Sequence, residues 1–388
     1  MGRWRVIDLV INILLLLAIL VVLVVIHEFG HFIVARRARV RVHEFGIGFP
    51  PRAKVLGNDG ETTYTLNWLP IGGFVRLEGE EGESDDPRSF VRQRLGTRLA
   101  ILLAGVAMNI VLAFVIFAVI AAVADPVADV RIAEVEAGGP AAEAGLLPSR
   151  QIGTLRDEQG NERLDEQGRP IPVFDESGEV IIAIDGRTFP VFDRVDMALP
   201  SLAYLREHAG ERVTLTVQSA DGSTRDVPVT LRVPGPGEGP LGIRIHPQLV
   251  QREISHAPAD AIAIGARRTL DASTLILRGL GGLIANIANP PVAGPVGIVQ
   301  MVGDVRAHLP PIFMLWFIGL LSANLAVINA LPFPPLDGGR VAVSLIQAVS
   351  GNRVSEAAER LVYLTGFVLL MMLLVWITFF DIQRLGGS

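Results

Sequence analysis

Two histidines and a glutamate, His27, Glu28 and His31, form an H-E-x-x-H pattern inside an apolar stretch from about Val6 to Val34. Residues four apart on a helix lie on the same face, one turn apart. Two imidazole nitrogens placed in this way can hold one zinc ion, and Glu28 is close enough to act on water as a general base. Ionisable groups at membrane depth are costly without partners, which favours a functional site over a helix that ends at His27.

A carboxylate far along the chain, Asp337, completes a candidate ligand set. The chain contains no cysteine, so His, Asp or Glu must hold any metal. Catalytic zinc usually has three protein ligands, often two histidines and a carboxylate, which makes Asp337 the predicted third ligand. The alternative is that Asp337 only caps a helix. Asn324 and Asn329 precede it in a proline-broken segment, where non-helical backbone at membrane depth must be buried in protein or line a cavity.

The composition shows which elements must position these residues. Half of the 388 residues are hydrophobic and only 19% are charged, which indicates several membrane spans together with a polar domain. The net charge of −6 gives no reason to expect a nucleic-acid partner. Four stretches reach the ~20 apolar residues that a spanning helix needs. They are Val6–Val34, Leu99–Ala124, Pro311–Leu331 and Leu361–Phe380.

Arginines flank the loop between the first two predicted spans and indicate on which side of the membrane this loop lies. By the positive-inside rule this loop is cytoplasmic, so the metal motif lies toward the cytoplasmic end of the first span. An even number of spans then leaves both termini on the extracytoplasmic side. The arginines are Arg36, Arg37, Arg39, Arg41, Arg92, Arg94 and Arg98.

The same loop alternates apolar and polar residues, which predicts strands at 40–45, 63–69 and 74–77. Two interpretations stay open. The strands form a packed cytoplasmic loop, or they form a sheet that dips into the membrane and offers an edge to an extended peptide. In the second case Gly72, Gly73 and Phe74 would clamp the substrate. The acidic run from Glu78 to Asp86 is predicted to be a solvated, mobile loop.

Two residues of the second span, Gly105 and Asn109, are candidates for a supporting role. They lie four apart, a small residue permits close helix approach, and a buried Asn needs a partner. Helix packing alone explains them equally well.

A polar region follows the second span, and its two signature segments are Gly138–Leu146 and Val180–Gly186. Together they resemble a PDZ domain of the kind found in bacterial membrane proteases. About 30 polar residues, 148–177, separate the segments and are interpreted as an insertion. PDZ domains normally hold a peptide at a sheet edge, and with this insertion the domain could instead act as a size filter or lid.

The order of these motifs resembles the site-two protease family of intramembrane zinc metalloproteases, in the bacterial regulator-of-sigma-E branch. The motifs are the H-E-x-x-H pattern, Gly105-x-x-x-Asn109, the PDZ-like region and Asn329-x-x-Pro332-x-Pro334-x-Leu336-Asp337-Gly338. Two features differ from the family: well-known members carry two tandem PDZ domains, and the second-span motif commonly reads Gly-Pro where this chain has Gly-Val.

The resemblance implies a multi-pass α-helical membrane protein with four transmembrane helices, a membrane-associated β-sheet and an inserted extracytoplasmic PDZ domain (α+β). The predicted domains are 1–126, 127–250 and 251–388, and the last begins with an amphipathic helix. It also implies one Zn²⁺ held by His27, His31 and Asp337, with Glu28 as catalytic base and Asn324 and Asn329 binding substrate backbone.

The implied substrates are single-span membrane proteins of the anti-sigma-factor or remnant-signal-peptide type, cut in the bacterial inner membrane after an upstream protease. Two other classes are compatible with the residues. A metal permease would use the His/Asp set for transport, although no inverted repeat is visible. An inactive scaffold would use only the PDZ-like domain.

Overall fold

The computed structural model describes residues 2–80, 84–157, 160–164, 168–193, 199–235, 238–246, 250–286, 290, 292–350 and 356–386. The chain divides into two compact units, one formed by Met1–Ile120 with Ala259–Ser388 and the other by Ala121–Pro258.

The helices are α1 (Gly2–Arg37), α2 (Leu95–Val123), α3 (Pro140–Glu143), α4 (Pro200–Glu207), α5 (Pro258–Ala285), α6 (Pro295–His308), α7 (Pro311–Ala330), α8 (Asp337–Ser350) and α9 (Glu356–Gly386). The strands are β1 (Val42–Asn58), β2 (Thr63–Leu77), β3 (Asp125–Val135), β4 (Gln151–Thr154), β5 (Pro172–Phe174), β6 (Val180–Ile184), β7 (Arg212–Gln218), β8 (Thr224–Thr230), β9 (Ile243–Ile245) and β10 (Val250–Ile254).

Four helices of the first unit, α1, α2, α7 and α9, are long and apolar enough to cross a membrane. Each of the four predicted spans therefore coincides with a candidate membrane-spanning helix, which is consistent with a membrane protein. Most of the apolar surface of α1 and α9 is not covered by protein. Within the most apolar 18-residue segment of each helix, only 17% of α1 and 6% of α9 is buried. Such surface is suited to hydrocarbon, which solvates it without the cost that water imposes.

Glycines let α1, α2 and α7 approach closely. A Cβ on Gly30 of α1 would lie 2.4 Å from the carbonyl oxygen of Ala104 in α2, and a Cβ on Gly319 of α7 would lie 2.8 Å from the ring of Phe117 in α2. A Cβ atom at either position would be too close to its neighbour, so no residue larger than glycine fits. The helix backbones therefore approach each other most closely at these glycines. The crossing of α1 and α2 therefore falls directly beside the H-E-x-x-H motif.

Two long strands, β1 and β2, replace the three predicted between the first two spans. The Pro70–Gly73 segment does not interrupt β2, because the hairpin absorbs it through irregular register. The first half of β1 pairs with both the beginning and the end of β2, so Phe45 has register partners at both Val75 and Tyr64. Phe45 also makes edge-on ring contacts with Phe29 and Phe32 of α1, which hold the hairpin on that helix.

The proline-broken segment after α7 leads into a separate helix. Asp337 is the first residue of α8 and not part of the third span. A Cβ on Gly338 would lie 2.2 Å from the carbonyl oxygen of Ala330, and one on Gly339 would lie 2.7 Å from the backbone of Phe333. Only glycine fits at both positions, so α8 begins tightly against the end of α7.

The second unit contains a sheet with strand order β10-β3-β6-β7-β8, and β9 also pairs with β3. Its core includes Ile132, Ile184 and Leu215, which are fully buried. The alternation of apolar and polar residues predicts five strands in this unit, at 130–135, 180–184, 212–217, 227–233 and 241–245, and β3, β6, β7, β8 and β9 match them in whole or in part; β4, β5 and β10 are additional. The sequence pattern also predicts a helix over 193–208, which is wrong at its start: Val191–Asp193 is a 3-10 turn, α4 begins at Pro200, and 194–198 lie outside the described residues. Within the polar insertion, β4 and β5 form a small antiparallel ladder.

The predicted amphipathic helix matches α5, where Gly265 packs against Ala118 of α2. The next helix, α6, is held at both ends by distant residues. Asp381 of α9 accepts the backbone N–H groups of Gly294 and Gly297 at the start of α6, and Arg306 near its end pairs with Asp8 of α1 at 2.8 Å.

Candidate metal centre

Three side chains from opposite ends of the sequence converge on one point. Nε2 of His27 lies 2.8 Å from Oδ2 of Asp337 and 3.1 Å from Nε2 of His31. Nε2 of His31 lies 3.4 Å from the same oxygen of Asp337. The helix α1 supplies both histidines from one face, and α8 supplies the carboxylate from its first turn.

This donor set fits a single zinc ion. Zinc binds imidazole nitrogen and carboxylate oxygen at about 2.0–2.2 Å, so three donors of a tetrahedral site lie about 3.3 Å apart. The three separations between His27, His31 and Asp337 span 2.8 to 3.4 Å and agree with that geometry. Both histidines are buried, and Asp337 is 17% exposed, so the donors face a protected space.

The second nitrogen of each imidazole contacts α2. Nδ1 of His31 donates to the carbonyl oxygen of Ile101 at 2.7 Å, which leaves the lone pair of Nε2 available for a metal ion. Nδ1 of His27 lies 3.3 Å from the amide nitrogen of Asn109, whose Oδ1 is buried without a hydrogen-bond partner among the described residues. The two ends of an Asn amide are interchangeable in shape, and in the rotated orientation Oδ1 would accept the hydrogen carried by Nδ1.

Gly105 of α2 also faces the histidines, and because it has no side chain the helix can approach them closely. A Cβ on Gly105 would lie 2.5 Å from Nε2 of His31 and 2.6 Å from Nε2 of His27. Ile101, Gly105 and Asn109 recur at intervals of four residues, so one face of α2 lines the site. Both supporting residues predicted from the sequence, Gly105 and Asn109, therefore lie against the histidines.

A fourth ionisable group, Glu28, lies beside the two histidines. The donor atoms of His27, Glu28 and His31 all lie within 4.8 Å of one another. That distance leaves room for a water molecule between the carboxylate and a metal held by the two histidines. Glu28 is half-buried, and its Cγ lies 3.7 Å from where a Cβ on Gly73 would be.

The predicted clamp segment of β2 lies directly over this carboxylate. Gly72 has a φ of +77° and packs against Val24 of α1 and the ring of Phe49. Phe74 covers Gly46 and stacks on Phe49 with ring centroids 6.4 Å apart. The strand pairs with β1 on one side, and no register partner occurs on its other side from Gly73 to Leu77 among the residues with described placement.

The two predicted asparagines of α7, Asn324 and Asn329, are not among the three converging side chains. Asn324 has its Oδ1 buried without a hydrogen-bond partner among the described residues. Asn329 is half-buried in the last turn of α7 and makes no hydrogen bond within the part of the site that the structure describes.

Sequence reasoning missed several residues of the site. Ser322 of α7 donates to the backbone carbonyl of Asn109 at 2.8 Å, and Ile101 acts only through its carbonyl. The four-residue spacing from Gly105 could have indicated Ile101. The acidic run was also misjudged in part, because Glu80 pairs with Arg340 of α8 instead of extending into solvent. Residues 81–83 of that run lie outside the described chain.

Comparison with known proteins agrees with this chemistry. The model of peptidase family M50 matches residues 15–373. A Clostridium perfringens protein, named as a candidate zinc metalloprotease, is 33% identical over 366 residues, which cover 93% of this chain and 95% of the relative. Zinc metalloprotease RasP of Oceanobacillus iheyensis and regulator of sigma-E protease RseP of Escherichia coli are each 26% identical. Each alignment covers 94% of this chain, and 97% and 96% of the two relatives.

Proposed function

The chain belongs to peptidase family M50, the site-two protease family of zinc metalloproteases, and we propose that it hydrolyses a peptide bond in or near the membrane span of single-span proteins. The observation that carries this proposal is the convergence of His27, His31 and Asp337, with Glu28 alongside, at the helix α1, which is long and apolar enough to cross a bilayer. Three protein donors leave a fourth zinc position for water or substrate, as in catalytic sites.

Each group of the chain has a chemical task in this proposal. His27, His31 and Asp337 hold the zinc, which supplies Lewis-acid polarisation and makes water more acidic. Glu28 takes a proton from the attacking water and passes it to the leaving amide nitrogen. Glu28 must stay outside the ligand set, because a coordinated carboxylate could not serve as the base. The contacts of the imidazoles with Ile101 and Asn109 keep both rings oriented.

The substrate helix has to unwind, since helical peptide bonds are shielded by their own hydrogen bonds. An extended segment could pair with the free side of β2 beside Gly73, where backbone N–H and C=O groups supply affinity. This edge lies next to Glu28, as the short distance from Gly73 to its Cγ indicates. The unpartnered Oδ1 of Asn324 would accept a hydrogen bond from the freed substrate backbone.

We interpret the second unit as a PDZ-like domain with a β4–β5 insertion. In this proposal the domain and both termini lie on the extracytoplasmic side, and the domain restricts access to substrates that an upstream protease has already shortened. The arginines around the first loop support this orientation by the positive-inside rule.

The test compares the wild-type chain with Glu28→Gln in detergent micelles or vesicles, with a single-span peptide as substrate. Cleavage should fall by at least about 10³-fold, because the general base is lost while the amide keeps the shape of the side chain. The zinc content, measured by elemental analysis, should stay near one per chain. Glu61→Gln, which removes a carboxylate of the hairpin loop that pairs with Arg88 and not with a proposed ligand, is the matched control and should cleave normally.

Cleavage by Glu28→Gln at the wild-type rate would rule out the proposed mechanism. Metal uptake into vesicles without cleavage would instead indicate the permease alternative.

A further inference from the structure

One face of α8 carries the proposed ligand and three other polar residues. Asp337, Arg340, Ser344 and Gln347 recur at intervals of three, four and three residues, which places them in one row along the helix. Each of the three residues after Asp337 contacts an element other than α8. The row therefore joins the ligand to the rest of the membrane unit.

The first of these contacts is an ion pair. Arg340 pairs with Glu80, which lies three residues after the end of β2 and 260 positions earlier in the chain. Glu80 also accepts the backbone N–H of Leu77 at 3.3 Å, so its carboxylate is tied to the hairpin that covers Glu28. Arg340 also lies three residues after Asp337 on α8, so the two charged side chains are on the same side of the helix.

The second contact joins α8 to α2 and α9. Nη2 of Arg98 donates to Oγ of Ser344 at 3.1 Å and to Oε1 of Gln347 at 3.2 Å. The amide of Gln347 donates to Glu359 of α9 at 2.9 Å. Arg98 belongs to α2, the helix that also presents Ile101, Gly105 and Asn109 to the histidines. The helix α2 therefore contacts both the two histidines and the helix that carries Asp337.

A ligand on the first turn of a helix is sensitive to rotation of that helix. With the Asp337 carboxylate about 5 Å from the axis, a 10° rotation moves it by about 0.9 Å, which exceeds the ~0.5 Å tolerance of a preorganised site. The segment before α8 is short and irregular, so contacts along the row oppose that rotation together with the close packing of Gly338 and Gly339 against the end of α7. Arg340 also needs an acid other than Asp337, since a guanidinium bound to Asp337 would compete with the metal for the same oxygens.

We propose that Glu80 and Arg340 are positioning residues of the metal centre, which set the rotation of α8 and keep Arg340 away from the oxygens of Asp337. This inference rests on the proposed ligand set. Ser344 and Gln347, held by Arg98, form the second anchor of the same row. Glu80 thereby gains a role in metal binding without being one of the three proposed ligands.

The experiment is a double-mutant cycle on zinc affinity, measured on the full chain in micelles by competition with a chelator of known affinity. The four proteins are wild type, Glu80→Gln, Asp337→Asn and the double variant. Glu80→Gln should raise the Kd for zinc about 10- to 100-fold in the wild-type background, as partners of ligands commonly do. The same change should have almost no effect in the Asp337→Asn background, because its path to the metal runs through Asp337.

Asp8→Asn is the matched control, since it removes the acid of another ion pair between distant segments, Asp8–Arg306, and should leave the Kd unchanged. If Glu80→Gln lowers the thermal midpoint of unfolding, Arg340→Gln replaces it in the cycle. An equal loss in both backgrounds, or no loss in either, overturns the inference while the ligand set stands. An unchanged Kd in Asp337→Asn overturns the ligand set itself and the inference with it.

Discussion

Gly105 of α2 lies so close to His31 of α1 that a Cβ at position 105 would be 2.5 Å from the Nε2 atom of that histidine. The atom it would meet is a proposed metal-binding nitrogen and not the flexible end of a long side chain. Because both helices are also close at Gly30, the backbones cannot separate locally to make room.

Gly105→Ala should therefore displace the imidazoles. Zinc affinity is expected to fall about 10- to 100-fold, with a parallel loss of cleavage, as measured by chelator competition and by turnover of a single-span peptide. Gly96→Ala is the matched control on the same helix, since a Cβ there meets no atom within 4 Å. Equal behaviour of the two variants would contradict the close packing at the metal centre.

Asn109→Ala tests the orientation of His27. Losing the amide leaves Nδ1–H of the imidazole without its partner, and we expect zinc affinity to fall about tenfold. Ser322→Ala is the comparison, because this hydroxyl contacts only the backbone carbonyl of Asn109 and its loss should cost about 1 kcal/mol of stability without changing zinc affinity. Similar zinc affinities for Asn109→Ala and wild type would remove this residue from the support of the site.

Asn324→Leu should separate stability from activity. The buried Oδ1 of Asn324 has no partner among the described residues, and an unsatisfied buried acceptor costs about 1–3 kcal/mol. Replacing it should leave the free energy of unfolding unchanged or raise it, while kcat/KM for the peptide falls about tenfold and zinc content stays the same. A variant that unfolds more easily yet cleaves normally would show that the amide serves packing and not substrate.

Gly73→Ala tests the hairpin beside Glu28. A Cβ at this position would lie 2.9 Å from the carbonyl oxygen of Gly46, so the strand must shift, while zinc binding should be retained. We expect kcat/KM to drop about tenfold. Gly57→Ala in the same hairpin meets no atom within 4 Å and should match wild type. A normal rate for Gly73→Ala would argue against substrate pairing at this edge.

Local sequence patterns predicted much of the membrane unit. The apolar stretches that became α1, α2, α7 and α9 could be found from length and composition, because a span needs continuous hydrophobicity and little else. The hairpin was harder. Its three predicted strands merged into two, since whether Gly72 and Gly73 end a strand or bend it depends on what packs against them.

The sequence by itself determined the donor types and their local spacing: two histidines one turn apart, a glutamate between them, and a carboxylate after a proline-broken segment. Only the tertiary structure decided that Asp337 begins a separate helix, that Ile101 and Ser322 take part, and that Glu80 pairs with Arg340. Helical spacing is a local property of the backbone, and a pattern can reveal it. Contacts across 260 or 310 positions depend on how glycine-lined helices pack, which no local pattern encodes.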